Sequence, residues 1–229
     1  MCNLKSNKNL KEILEYKNKI VDLKHDNIEF VLFPSNLYLS FFYDAPFKIG
    51  AQNISKYASG SHTGEELASQ LTSLKVSYVI INHCEMEETN ESIIAKIKNA
   101  TNNNIKVILC IGKNISENEN NIIGILEKQI KDIFNSLNKK EQQNIILAFE
   151  PCFAINKNDI IDVSKIIEIT KKTKKIVEED YNLKIEVLYG GSINVTNMEK
   201  VLNIDILDGY LIGNCANNPE NILEIVKKI

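Results

Sequence analysis

Leu147-Ala148-Phe149-Glu150-Pro151-Cys152-Phe153-Ala154-Ile155 decides how this chain folds. With Ile145 and Ile146 ahead of it, the stretch begins as an apolar run of strand length and ends in a carboxylate and a proline. Proline has no N–H to donate and a fixed φ, so the strand stops there. Glu150 therefore stands at the C-terminal mouth of a buried strand, with a loop behind it. In a parallel α/β protein that edge is where ligands bind and chemistry is done. A glutamate at that edge is a candidate general base.

Two more segments have the same design. Val79-Ile80-Ile81-Asn82-His83-Cys84-Glu85 is an apolar run ending in a histidine, and Val187-Leu188-Tyr189-Gly190-Gly191-Ser192 ends in a glycine pair and a serine. In all, seven short strand-like runs are legible, at residues 28–33, 47–52, 76–81, 106–111, 144–149, 184–188 and 206–212. Between them lie stretches with apolar residues at helical spacing, the clearest at 121–137 and 163–181. The second has a lysine-rich outer face, on which Lys174 reads as solvated and inert. Strand and helix alternating in this way imply a parallel sheet with right-handed crossovers. No Pro/Gly/Ser linker divides the chain, so residues 1–229 read as one domain.

The composition narrows the function. With 229 residues and 44% hydrophobic content, the chain can bury one large core. A net charge of −3 offers no electrostatic footprint for nucleic acid. All 27 basic residues are lysines, and lysine lacks the bidentate fork of arginine. Five cysteines, Cys2, Cys84, Cys110, Cys152 and Cys215, argue by their odd number and spacing against a disulfide scaffold and for a reducing cytoplasm. Four of them fall near strand ends. They lack the spacing of a metal site, and buried thiols are the expectation. No run is long enough to span a bilayer, and residues 1–8 show no signal-peptide core.

The three strand-end segments together resemble the triosephosphate isomerase family, whose usual forms are Gly-His-Ser-Glu-Arg-Arg, Ala-Tyr-Glu-Pro-Val-Trp-Ala-Ile-Gly-Thr-Gly and Tyr-Gly-Gly-Ser. The resemblance runs in order from Asn3-Leu4-Lys5 (usually Asn-Trp-Lys) to Asp208-Gly209-Tyr210-Leu211-Ile212-Gly213. It implies a (β/α)8 TIM barrel and an enzyme that interconverts dihydroxyacetone phosphate and glyceraldehyde 3-phosphate without a cofactor. Glu150 would be the base. His83 would be the electrophile, a role carried over from the family, in which a neutral histidine polarises the substrate carbonyl. Asn3, Lys5 and Glu85 complete the implied catalytic set, with Lys5 stabilising negative charge. Gly191, Ser192, Gly213 and Asn214 would bind the phosphate with backbone N–H groups, and Asn156 would join them from the lid. The segment Ser59-Gly60-Ser61-His62-Thr63-Gly64-Glu65 resembles the family's dimer loop, so Thr63, Gly64 and Glu65 are expected at a homodimer interface. The plain alternative for it is an ordinary glycine-rich loop. His25 and His62 read as surface or interface residues.

The chain also departs from the family. Only Met1 and Cys2 precede Asn3, where the family has a full strand. Either the first strand is a stub, or the native chain is longer, or the start lies elsewhere. A stub is expected to leave a gap in the barrel wall and to cost about 1.5–3 kcal/mol for each large apolar side chain lost. In the lid, Asn156 and Asn158 replace glycines, which is expected to alter closure. Phe153 replaces a tryptophan and Lys113 the glutamate that accepts its N–H; losing both partners together leaves neither unpaired. Cys84 replaces a serine, Met86 and Glu87 an arginine pair, and Asn214 a glycine. The second functional reading, of a different class, is a catalytically weakened barrel that binds phosphorylated ligands or protein partners.

Overall fold

The computed structural model describes every residue except 24–26, 117–118, 156 and 158. Among these residues eight parallel strands alternate with helices. They are β1 (Cys2–Asn3), α1 (Leu10–Ile20), β2 (Val31–Phe33), β3 (Lys48–Ala51), α2 (Ala68–Ser73), β4 (Val76–Ile81), α3 (Asn90–Asn102) and β5 (Lys106–Ile111). They continue with α4 (Ile122–Phe134), α5 (Lys139–Gln143), β6 (Ile145–Phe149), α6 (Val163–Tyr181), β7 (Val187–Tyr189), α7 (Met198–Leu202), β8 (Gly209–Tyr210) and α8 (Pro219–Lys228). A 3-10 helix, Asn36–Phe42, connects β2 to β3. The strands pair in sequence order, and a parallel bridge from Cys2 to Ile212 closes the sheet into a (β/α)8 barrel.

The short first strand does not open the wall at the C-terminal end of the barrel. Cys2 and Asn3 pair with Leu32 and Phe33 on one side. On the other side Asn3 N–H donates to Ile212 O at 2.8 Å, and Ile212 N–H to Met1 O at 2.9 Å. The expected gap is thus corrected to a stub bonded on both edges. At the opposite end of the barrel lies a mainly apolar cavity of about 340 Å³ bordered by Met1, Ile28, Phe30, Leu188 and Ile212.

Alternate strand residues point to opposite faces, and here both faces are buried, so the strands read as continuous apolar runs. Val31, Phe33, Tyr78, Ile80, Ile108, Cys110, Ile146 and Ala148 fill the barrel interior. Their neighbours, among them Leu32, Val79, Val107, Leu109, Leu147 and Phe149, pack against the helices. Phe33 fits inside because Gly50 faces it: a Cβ at Gly50 would come within 2.2 Å of the phenyl ring.

Several expected bounds shorten for visible reasons. The run at 206–212 narrows to Gly209–Tyr210 because Asp208 takes over the ladder, its carboxylate accepting Val187 N–H at 2.7 Å. The same carboxylate pairs with Lys174 at 2.7 Å, so Lys174 supports β7 rather than being inert. Residues 163–181 form α6 throughout, capped by the Asp162 carboxylate and ended by Asn182 at φ 47. The helix expected over 121–137 starts after its cap, Asn121, and stops at Phe134. There i→i+3 bonds from Ser136 and Leu137 tighten the chain into a turn. No helix among the described residues is long and apolar enough to cross a membrane.

Candidate active site

Five strand ends meet at the C-terminal mouth of the barrel. Asn3 ends β1, with Lys5 two residues on; His83 follows β4, Glu150 follows β6, Gly190–Ser192 follow β7, and Leu211 to Asn214 follow β8. Together they line a cavity of about 320 Å³. Of the residues expected from sequence, Asn3, Lys5, His83, Glu150, Gly191, Ser192, Gly213 and Asn214 are all brought to it. Asn156 lies outside the described residues, as do Asn158 and His25; Ile155 and Lys157, which flank Asn156, line the cavity.

Glu150 is 5% exposed, and its Oε2 has no hydrogen-bond partner. Burial raises its pKa above the ordinary 4.5, against the opposing influence of His83, the Cys110 thiol and Lys5. A desolvated carboxylate of this kind is a stronger base than one in water. Gly190 makes the room: a Cβ there would lie 2.9 Å from Glu150 Cγ.

His83 Nε2 lies 3.4 Å from Glu150 Oε1. Its Nδ1 accepts the backbone N–H of Glu85 at 3.2 Å. An accepting Nδ1 carries no proton, so the ring is the neutral Nε2–H tautomer with its donor turned towards Glu150. A neutral ring opposes protonation of Glu150 only as an N–H dipole, which leaves burial the dominant influence. The chain reaches His83 through Asn82 at φ 60, whose N–H is held by Glu88 Oε2 at 2.8 Å.

Lys5 Nζ pairs with Glu85 Oε1 at 2.5 Å, and the other oxygen of Glu85 lies 3.7 Å from His83 Nδ1. Glu85 is half exposed and does not line the cavity; it pairs with Lys5 and lies beside His83. Lys5 and Lys157 bring two cations to the cavity, which suits an anionic ligand.

The loop after β6 opens with a 3-10 turn, Cys152–Ala154, and is fastened to the β7 loop. Ser192 Oγ donates to Ala154 O at 2.6 Å and accepts Lys157 N–H at 3.0 Å. Further along, Ile161 N–H donates to Tyr189 Oη at 3.3 Å. Asp159 pairs with Lys200 at 2.6 Å. Ser192→Ala removes both lid contacts at once. It is expected to raise KM several-fold and to speed proteolytic nicking of 152–158; unchanged KM and nicking would take Ser192 out of lid closure.

The altered positions regroup rather than leave loose ends. Lys113 Nζ donates to Met86 O, joining the loops after β4 and β5. Gln129 accepts Gly112 N–H at 2.9 Å and donates to Lys113 O at 2.7 Å, which fixes that loop. All five cysteines are free thiols. Burial and the nearby Glu150 charge push Cys84 up to about 12 and Cys110 well above its ordinary value, so both stay protonated. No cluster of three or more His, Cys, Asp or Glu placed to hold a metal occurs among the described residues.

Sequence reasoning missed Asn194, Cys215 and Asn221, which also line the cavity. Asn194 and Cys215 lie two residues beyond Ser192 and Gly213, so the strand-end rule could have reached them. Asn221 comes from α8, and nothing local marks it.

The expected dimer loop is an exposed projection, with Thr63, Gly64 and Glu65 all on the surface. His62 stacks on Tyr57 with centroids 3.6 Å apart, which stiffens the loop.

This geometry agrees with what the chain is similar to. A family model described as triosephosphate isomerase matches residues 1–229. A triosephosphate isomerase of Alkaliphilus oremlandii is 31% identical over 98% of this chain and 96% of its own length. One of Dictyostelium discoideum is 32% identical over 95% and 89%, and one of Dictyoglomus thermophilum 34% over 80% and 78%. Similarity of that extent, on a barrel whose strand ends bring an acid, an imidazole and a lysine to one cavity, places the chain in the triosephosphate isomerase family.

Proposed function

We propose that the chain isomerises dihydroxyacetone phosphate and glyceraldehyde 3-phosphate through an enediolate, with Glu150 as the base. The observation that carries this reading is the buried Glu150 carboxylate at the cavity wall, with Oε2 unpartnered and Oε1 set 3.4 Å from His83 Nε2. Glu150 takes a proton from the hydroxyl-bearing carbon and returns it to the neighbouring carbon, while the hydroxyl proton passes to the former carbonyl oxygen, so that the carbonyl and hydroxyl groups exchange places. His83 Nε2–H donates to the carbonyl oxygen as negative charge grows there, and Lys5 adds its positive charge. The substrate's overall oxidation level is unchanged, so the reaction requires no electron carrier. The backbone at Gly191, Ser192, Gly213 and Asn214 takes the phosphate. A coupled isomerase assay tests this: turnover, with inhibition by phosphoglycolate, is expected, and absence of both would sink the reading.

The base must be ionised to act. Because burial raises the pKa of Glu150, the acid limb of kcat/KM is expected above the ordinary carboxylate range. A limb at or below about 4.5 would remove Glu150 from the role.

The same reading makes the protein a cytoplasmic homodimer. Support comes from the projecting loop that carries Thr63, Gly64 and Glu65, and from exposed Leu37, Tyr43 and Tyr57. A second copy would cover these side chains, and Thr63 would approach the partner's substrate cavity. Light scattering at micromolar concentration should give twice the chain mass; a fully active monomer would contradict the assignment.

A further inference from the structure

Lys5 has φ 52, a left-handed backbone that a residue with a Cβ disfavours. Such a conformation persists only where its surroundings impose it. Here two side chains do so. Asn3 Oδ1 accepts Lys5 N–H at 2.9 Å. Gln52 Nε2 donates to Lys5 O at 2.9 Å and to Phe33 O at 3.0 Å. One amide thus ties the strained peptide to the end of β2. Gln52 is itself held, its N–H donating to Asn36 Oδ1 at 2.9 Å. It follows β3 directly and forms no part of the cavity wall.

We propose that Gln52 is a positioning residue of the isomerase: it holds Lys5 in the left-handed conformation that delivers Nζ to the anionic substrate. Without the Nε2 donor, Lys5 O and Phe33 O lose a shared partner and the peptide can relax towards ordinary φ. Nζ then leaves the cavity, while Glu150 and His83 stay in place. The inference rests on the role of Lys5 stated above.

The test is a double-mutant cycle on the full chain. Gln52→Met keeps the arm's length and removes both donors. It is expected to lower kcat/KM about tenfold, displacement of a charged group by about an ångström being costly, and to weaken inhibition by inorganic phosphate in parallel. In a Lys5→Met background the same change should cost less than about twofold, because its effect runs through Lys5; losses that simply multiply would mark a general structural role and overturn the proposal. If Gln52→Met does not fold, Gln52→Glu replaces it at pH 8, with the same size and no donor. A folded Gln52 variant with kcat/KM and phosphate inhibition like wild type also overturns the proposal. Should Lys5→Met alone leave turnover and phosphate inhibition intact, the role of Lys5 fails first and takes this inference with it.

Discussion

Glu150→Asp is expected to lower kcat by about 10²-fold or more with KM little changed, since misplacing a reacting group by about an ångström costs that much. The substitution keeps the charge and withdraws it by one methylene from the cavity that Gly190 opens for it. KM should hold because the proposed phosphate site is at the other wall, in the loops after β7 and β8. Initial rates over a range of dihydroxyacetone phosphate concentrations measure both constants, and unchanged turnover would remove Glu150 as base. A companion variant separates chemistry from stability. The folded pKa of Glu150 is raised, so its contribution to stability is complete below the unfolded value near 4.5 and is lost as pH rises through the folded pKa. Glu150→Gln should therefore abolish turnover yet raise Tm at pH 8, with the gain absent at pH 4. A buried carboxylate without a partner on Oε2 destabilises the fold, and its basicity comes from the same desolvation.

His83→Ala should cost about 10²–10³-fold in kcat, the usual loss when one donor to a developing oxyanion is removed. The geometry behind this is specific: Nδ1 is occupied by the Glu85 N–H, so the proton on Nε2 is the one available to the substrate. Phosphoglycolate titration provides the second measurement, with weakened binding expected. A variant whose kcat stays within about threefold of wild type would show that carbonyl polarisation comes from elsewhere.

Which strand ends line the cavity was legible along the chain, because the signals are local. An apolar run ended by Pro151, or by Gly190-Gly191, marks a strand mouth wherever the strand lies in the sheet. The residue at the mouth then follows by position, and Glu150, His83 and Ser192 were found in that way. The catalytic reading of Asn3 and Lys5 needed the family resemblance, since two residues after Met1-Cys2 have no periodicity to read. Glu85 was grouped with the catalytic residues, and it pairs with Lys5 and lies beside His83 without lining the cavity, a distinction that sequence adjacency to His83 does not make.

The sequence by itself determined the alternation of strand and helix, the single barrel, and the identity of the groups at its C-terminal mouth. It could do so because apolar periodicity, proline and glycine act within a few residues of where they stand. Only the tertiary structure decided the rest. Closure across a two-residue β1 depends on Ile212, more than two hundred positions away. The tautomer of His83 depends on where the Glu85 N–H turns, and the basicity of Glu150 on what is packed around it. The strained backbone of Lys5 depends on Gln52, which arrives from another strand. Desolvation and hydrogen-bond direction are set by neighbours that are close in space and distant in sequence, and those neighbours exist only once the barrel has closed.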